Sequence, residues 1–278
     1  MSAPGGGHMT APATRLAEGP PSWARLVLAP NPGPMTLDGT NSWVLRAAGQ
    51  SGCVVVDPGP LDEPHLERLA SAGPVELVLI THGHVDHTES VGRFAGLTGA
   101  PVRAKDPRWC RGGEPLTAGE AIEAAGLRLT VIPAPGHTAD SVAFAVAGGE
   151  PAILTGDTVL GRGTTVVTWP DGDLGAYLVS LARLGECGAV PVLPGHGPML
   201  ADCAAACDHY LTHRAERLDQ VRRALAAGAA TARDVVEIVY ADVARTLWPA
   251  AEMSVRAQLA HLKELGEWRE PDRDGDSP

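Results

Sequence analysis

The stretch Thr81-His82-Gly83-His84-Val85-Asp86-His87 decides how this chain reads. Within seven residues it holds three imidazoles and a carboxylate, and it directly follows the apolar run VELVLI at positions 75–80. That run has the length and β-branched content of a buried strand, so the histidines emerge where a strand gives way to a loop. Imidazole and carboxylate are borderline ligands that suit zinc, manganese or iron. Alternate residues of an extended loop, His82 and His84, converge on one ion, while Asp86 and His87 face the other way and hold a second. A His-rich surface loop has the same composition. It does not account for three more ligand-type residues downstream, each in a Gly-flanked turn after an apolar strand.

Working outward, the same pattern of apolar strand, turn and ligand recurs five times. Upstream, positions 24–29, 42–46 and 53–56 read as strands, and the third ends in Asp57-Pro58-Gly59. A carboxylate there is either a turn former or a group that orients a metal-bound histidine. A helix over 61–72 precedes the 75–80 strand, and a helix over 89–97 follows the histidines. Downstream come a short strand at 101–104, a polar, Gly-rich connection, and a strand at 127–132 that ends in Pro135-Gly136-His137-Thr138. A hairpin of 141–146 and 152–154 runs into Gly156-Asp157-Thr158. After a helix over 174–184, the strand 190–193 ends in Pro194-Gly195-His196-Gly197. The organisation is α/β.

These residues make up the inventory of a two-ion hydrolytic centre. His82, His84 and His137 are assigned to the first ion, Asp86, His87 and His196 to the second, and Asp157 to the bridge between them. Two Zn2+ are expected, with Mn2+ or Fe2+ as alternatives. Such a pair lowers the pKa of a bridging water toward neutrality, which makes it a hydroxide nucleophile, and polarises the bond under attack, so Asp86 and Asp157 count as catalytic. Asp57 is placed behind the ligands, accepting a hydrogen bond from one imidazole. No G-x-S-x-G elbow offers a covalent route.

Composition narrows the class. With 278 residues, 44% of them hydrophobic, the chain can fill a large core. No apolar run approaches the roughly 18–20 residues of a bilayer span, so no membrane is expected. The N-terminus lacks a signal-peptide pattern and the five cysteines form no paired framework, so the expected location is cytoplasmic. Cys203 and Cys207, four apart on a helix, share a packing face. A formal charge of −11 argues against holding nucleic acid by bulk electrostatics.

Four segments follow: a disordered lead-in over 1–22, a catalytic domain over 23–203, a helical module over 204–270 and an acidic tail over 271–278. In the module, helices are expected over 202–227, 232–243 and 250–265, with Thr231 as a cap. From Arg214 to Glu264 it carries eight basic and seven acidic residues, thin for duplex DNA. Packing or homodimerisation is the expected role, and truncation should leave the metal ligands in place. His209 and His213 mimic a zinc pair but lack the glutamate of H-E-x-x-H.

The ordered set His82-x-His84-x-Asp86-His87, His137 in PGHT, Asp157 in GDT and His196 in PGHG, preceded by Asp57 in VVDPG, resembles the metallo-β-lactamase superfamily. That resemblance implies an αββα sandwich with the metals at the edge of the two sheets. NPGPMTLDGTNSWVLR, GDTVLGRGTT and HYLTHR are similar to the beta-lactamase-like protein 2 group, over residues 24–268. The group implies a small C-terminal winged-helix domain, and its animal members are regarded as endoribonucleases acting on single-stranded RNA. It also places Thr40, Asn41, Thr164 and Thr165 near the substrate rim; as turn formers they need no such role. Common zinc β-lactamases carry cysteine where this chain has Asp157, and no match to the basic cluster of glyoxalase II or the arm of ribonuclease Z is present. The substrate expectation is therefore phosphodiester cleavage of single-stranded RNA, by a slight margin over a small-molecule ester or thioester. A metal-stabilised nucleic-acid-binding regulator is the alternative of another class.

Overall fold

Alternation of side chains along each strand, combined with apolar residues at nearly every position, requires cover on both faces of a sheet. The computed structural model, which describes residues 16–269, meets that requirement with four layers. The first sheet contains β1 (Ala24–Leu28), β2 (Asn41–Leu45), β3 (Cys53–Val56), β4 (Val75–Leu79) and β5 (Val102–Arg103), in that order. Its first three strands are antiparallel and its last two continue in parallel. The second sheet contains β6 (Ala121–Ala124), β7 (Leu127–Pro133), β8 (Val142–Val146) and β9 (Ala152–Gly156), antiparallel throughout, and β10 (Val192–Pro194), parallel to β9.

Successive residues of the first sheet divide between two cores. Trp43, Leu45, Val54, Val56, Leu77 and Leu79 face the second sheet's Leu129, Val131, Phe144 and Leu154. Val44, Cys53, Val55, Val78 and Ile80 face outward onto α1 (Glu63–Ala70) and α3 (Val91–Thr98), which supply Leu66, Leu69 and Phe94. A short helix, α2 (Val85–Thr88), precedes α3. The outer face of the second sheet, with Ala143 and Ile153, packs on α4 (Leu174–Gly185) and α5 (Cys203–Ala226). The αββα sandwich expected from the sequence is the observed architecture.

The third core does not stop at the sandwich. It runs through Tyr177 and Leu181 of α4, then Cys203, Cys207, Tyr210 and Val221 of α5, into α6 (Ala232–Val239) and α7 (Trp248–Glu264). Thr231 caps α6 in a reciprocal box with Asp234, as anticipated. The C-terminal helices thus share one apolar cluster with the second sheet.

Three local differences have physical causes. β6 falls where the sequence suggests irregular connection, because AIEA offers one large apolar residue, Ile122, as its buried signal. The helix expected over 89–97 is α3, and α2 before it carries Asp86 and His87 on helical rather than extended backbone. Part of the lead-in is also ordered: Leu16 forms a bridge with Leu200, and the Ala17 amide donates to the Met199 carbonyl at 3.2 Å. Residues 1–15 and the acidic tail over 271–278 lie outside the described residues. No helix among the described residues is long and apolar enough to cross a membrane.

Candidate metal centre

β3, β4, β7, β9 and β10 end at one rim, and each delivers a polar side chain there: Asp57, the 82–87 cluster, His137, Asp157 and His196. Hydrogen bonds stitch the two sheets together at that rim. The Asn41 amide donates to the Gly195 carbonyl at 2.7 Å, and the Val142 amide donates to the Thr81 carbonyl at 2.8 Å. Two glycines permit close approach. A Cβ at Gly195 would lie 2.4 Å from Asp157 Oδ1, and one at Gly136 would lie 2.3 Å from the Tyr177 Cα on α4.

The seven expected ligand residues come together. In one group, His84 Nδ1 lies 3.1 Å from His82 Nε2 and 3.0 Å from His137 Nε2. In the other, Asp86 Oδ2 lies 3.3 Å from His87 Nε2 and 3.1 Å from His196 Nε2. Asp157 stands between them. Its Oδ2 is 3.3 Å from His196 Nε2, 3.7 Å from His137 Nε2 and 4.0 Å from His82 Nε2, while Oδ1 is 3.4 Å from His87 Nε2. Among the described residues, Oδ1 has no hydrogen-bond partner although buried.

The remaining ring nitrogens settle which atoms carry lone pairs. His87 Nδ1 donates to Asp57 Oδ2 at 2.8 Å, His137 Nδ1 to the Val166 carbonyl at 2.8 Å, and His196 Nδ1 to the Gly39 carbonyl at 3.1 Å. Thr81 Oγ1 donates to Asp57 Oδ2 at 2.6 Å and so accepts from His82 Nδ1 at 3.0 Å. With their protons committed outward, the converging Nε2 atoms present lone pairs to one another at about hydrogen-bond distance, which repels unless a cation lies among them. The donor set therefore fits divalent ions.

Electrostatics agree. Burial holds His82 and His137 below the ordinary imidazole range, which favours neutral ligands. Burial also opposes charge on His196 and His87. Even so, hydrogen bonds to Asp157 and Asp86 carry His196 up to about 9, and the charges of Asp157, Asp57 and Asp86 raise His87 well above its usual value. The carboxylates thus draw positive charge to this half of the site, and a bound cation supplies it without protonating the ligands.

Residues 35–196 match the family described as Metallo-beta-lactamase superfamily. The chain belongs to that superfamily. Residues 231–274 match the Beta-lactamase associated winged helix domain. A beta-lactamase-like protein 2 homolog of Drosophila melanogaster is 29% identical over 87% of this chain and 88% of its own length. An atrochrysone carboxyl ACP thioesterase of Aspergillus chevalieri is 32% identical over 78% of this chain and 73% of its own length. The crystal structure of a metallo-beta-lactamase family protein of Thermus thermophilus superposes with a TM-score of 0.74 at 26% identity, covering 88% of this chain and 94% of that one. This metallo-beta-lactamase superfamily hydrolase keeps the two-sheet fold together with a C-terminal winged-helix region.

Of the residues expected at the substrate rim, three are directed inward. Thr40 is fully buried, with Oγ1 donating to Asp86 Oδ2 at 3.2 Å. The Asn41 side chain donates to the carbonyls of Pro194 and Gly197, and Thr165 Oγ1 donates to the Asp157 carbonyl at 2.5 Å. Their polar atoms support the ligands from behind, as polar groups buried among unpaired backbone carbonyls must. Thr164 is half-buried. The actual opening lies at His84 and Asp86, the two ligand residues that are not fully buried, with exposed Val85 between them. Beside it is a cleft of about 130 Å³ lined by Gly83, His84, Asp106, Arg108, Thr138, Asp140 and Asp171. That cleft is illegible in the sequence, because its carboxylates come from three separate loops and match no spacing motif.

Asp57 sits in left-handed backbone, φ 52°, which few side chains other than Asp and Asn tolerate. Oδ1 takes the Thr81 amide at 2.8 Å and Oδ2 takes Thr81 Oγ1 and His87 Nδ1, so one carboxylate orients a ring in each group. Asp57→Ala is expected to weaken metal binding by about 10- to 100-fold, with activity partly restored by excess zinc. Metal affinity equal to wild type in a chelator competition would reduce Asp57 to a turn residue.

Proposed function

We propose that the chain hydrolyses an acyl ester or thioester at a centre of two divalent ions. His82, His84 and His137 hold one, Asp86, His87 and His196 the other, and Asp157 is shared. The bound ions supply an acidified water and Lewis-acid polarisation of the acyl carbonyl. The protein's own contribution is orientation: Asp57, Thr81, Val166 and Gly39 fix the rings, and Asp86 accepts a hydrogen bond from Thr40 at the oxygen that faces His87 and His196. All donors are nitrogen and oxygen, which suits zinc first and manganese or iron as alternatives. Five unpaired cysteines fit a reducing compartment, hence the cytoplasm.

The observation that carries the substrate class is the charge of the cleft at the mouth. Arg108, paired with Asp106 at 2.6 Å, is the one guanidinium lining the cleft and also faces Asp140 and Asp171, so three carboxylates outnumber it where a substrate's flanking portion lies. A phosphodiester chain would place its own negative charge against these carboxylates in a molecule that already carries −11. An acyl chain meets Val85, 68% exposed between His84 and Asp86. The ACP thioesterase activity named for the relative at 32% identity belongs to the same reaction class. Charge thus reverses the slight preference for single-stranded RNA that the sequence motifs suggest.

The deciding assay is a panel of acyl-thioesters of N-acetylcysteamine and coenzyme A alongside single-stranded RNA, run with zinc and with manganese. Thiol release that is lost in His82→Ala/His84→Ala supports the proposal. RNA cleavage lost in the same variant, with no thiol release, overturns it in favour of the nuclease.

A further inference from the structure

The geometry points to Arg214, on the C-terminal helix α5, as a positioning residue of the metal centre. The inference rests on the two-ion reading above. Arg214 is only 5% exposed, lies over the Tyr177 ring at 5.2 Å from its centroid, and donates from an Nη to the Thr165 carbonyl. No ion pair to it is found among the described residues, and its Nε has no hydrogen-bond partner there. Burying a guanidinium on such terms is unfavourable, and a purely space-filling role would be served better by an apolar side chain.

What the arginine grips accounts for its retention. Thr165 donates from Oγ1 to the carbonyl of Asp157, the shared carboxylate, and the next residue, Val166, accepts the outward proton of His137. Segment 165–166 is therefore the backing of two ligands at once. Upstream of it, Tyr177 donates to the Thr158 carbonyl at 2.7 Å and Tyr210 accepts from the Leu160 amide at 2.9 Å. Two of these anchors, Tyr210 and Arg214, sit one turn apart on α5, so they face the same segment. The helix that leads into the winged-helix region thereby fixes the ring plane of His137 and the backbone of Asp157 from the outer helical layer of the sandwich.

The test uses full-length protein and three variants. Arg214→Met keeps the stem and removes the donors, Arg214→Lys returns one donor, and Thr165→Val cuts the next bond inward without touching the arginine. Zinc affinity is read by chelator competition and ligand geometry by the visible spectrum of the Co2+-loaded protein, with thermal unfolding of the metal-free protein as the measure of fold. Arg214→Met is expected to weaken zinc by about 10- to 100-fold and alter the Co2+ bands, with Lys recovering part of both and Thr165→Val moving them in the same direction. Wild-type affinity and spectrum in Arg214→Met, with wild type itself holding two ions, overturn the proposal and leave the metal centre standing. If Arg214→Met fails to fold, Thr165→Val decides: unchanged affinity and bands overturn the proposal. Wild type that takes up no ion overturns both readings.

Discussion

Asp157→Ala is expected to cripple turnover: kcat/KM should fall by at least about 10³-fold, equivalent to about 4 kcal/mol of lost transition-state stabilisation. Asp157 is the carboxylate that reaches both groups, with Oδ2 3.3 Å from His196 Nε2 in one and 3.7 Å from His137 Nε2 in the other. Removing it takes negative charge from between two cations, and no neighbouring side chain can fill its place because the backbone of Gly195 occupies the adjoining space. Excess metal cannot supply that charge, so zinc titration leaves the variant inactive, in contrast to Asp57→Ala. Elemental analysis should show less than one full complement of ions per chain. Recovery to within tenfold of wild type at saturating zinc would show that Asp157 is not the shared carboxylate.

Deletion of residue 203 onward is expected to abolish cooperative folding. Tyr177, Leu181 and Leu184 on α4 are fully buried, and the cover over them includes Cys203, Ala206, Cys207 and Tyr210 of α5. Uncovering each large apolar side chain costs about 1.5–3 kcal/mol. Three or four of them together approach the roughly 5–15 kcal/mol that separates a folded domain from its unfolded chain. The deletion also removes Tyr210 and Arg214 from the segment behind Asp157 and His137. Thermal unfolding followed by near-ultraviolet circular dichroism should show no sharp transition, and zinc retention should fall with it. A truncated protein that melts cooperatively and keeps two ions would show that the sandwich is self-sufficient.

The sandwich is legible in the sequence because its signal is local. VELVLI, CVVV and SWVLR are largely apolar runs of strand length, and each ends in a Gly-flanked turn with a ligand-type residue or leads toward one, so strand, turn and chemistry can be read together. Asp57 is legible at the rim in the same way, whereas the identity of its donor, His87, emerges only from the fold. What escapes is set by distance in sequence. Thr40, Asn41 and Thr165 look like polar rim residues in Gly-rich turns, and only the packing of two sheets shows that they face the ligands from behind. Arg214 reads as one charge on an amphipathic helix; its burial depends on Thr165, 49 residues earlier. The acidic cleft has no linear signature at all, since Asp106, Asp140 and Asp171 meet only once three loops are placed.

The division of the ligands between the two sheets orders events during synthesis. His82, His84, Asp86 and His87 emerge first, whereas His196 follows about 110 residues later, roughly 5–20 s at ordinary translation rates. In that interval the nascent chain presents an incomplete chelate, open to whatever ion is at hand and free to exchange it. Tight capture waits for β10 to dock beside β9 and bring His196 against Asp86. Slow metal exchange is thereby expected of finished molecules, and the fraction of protein that resists a chelator should count the chains that have completed folding.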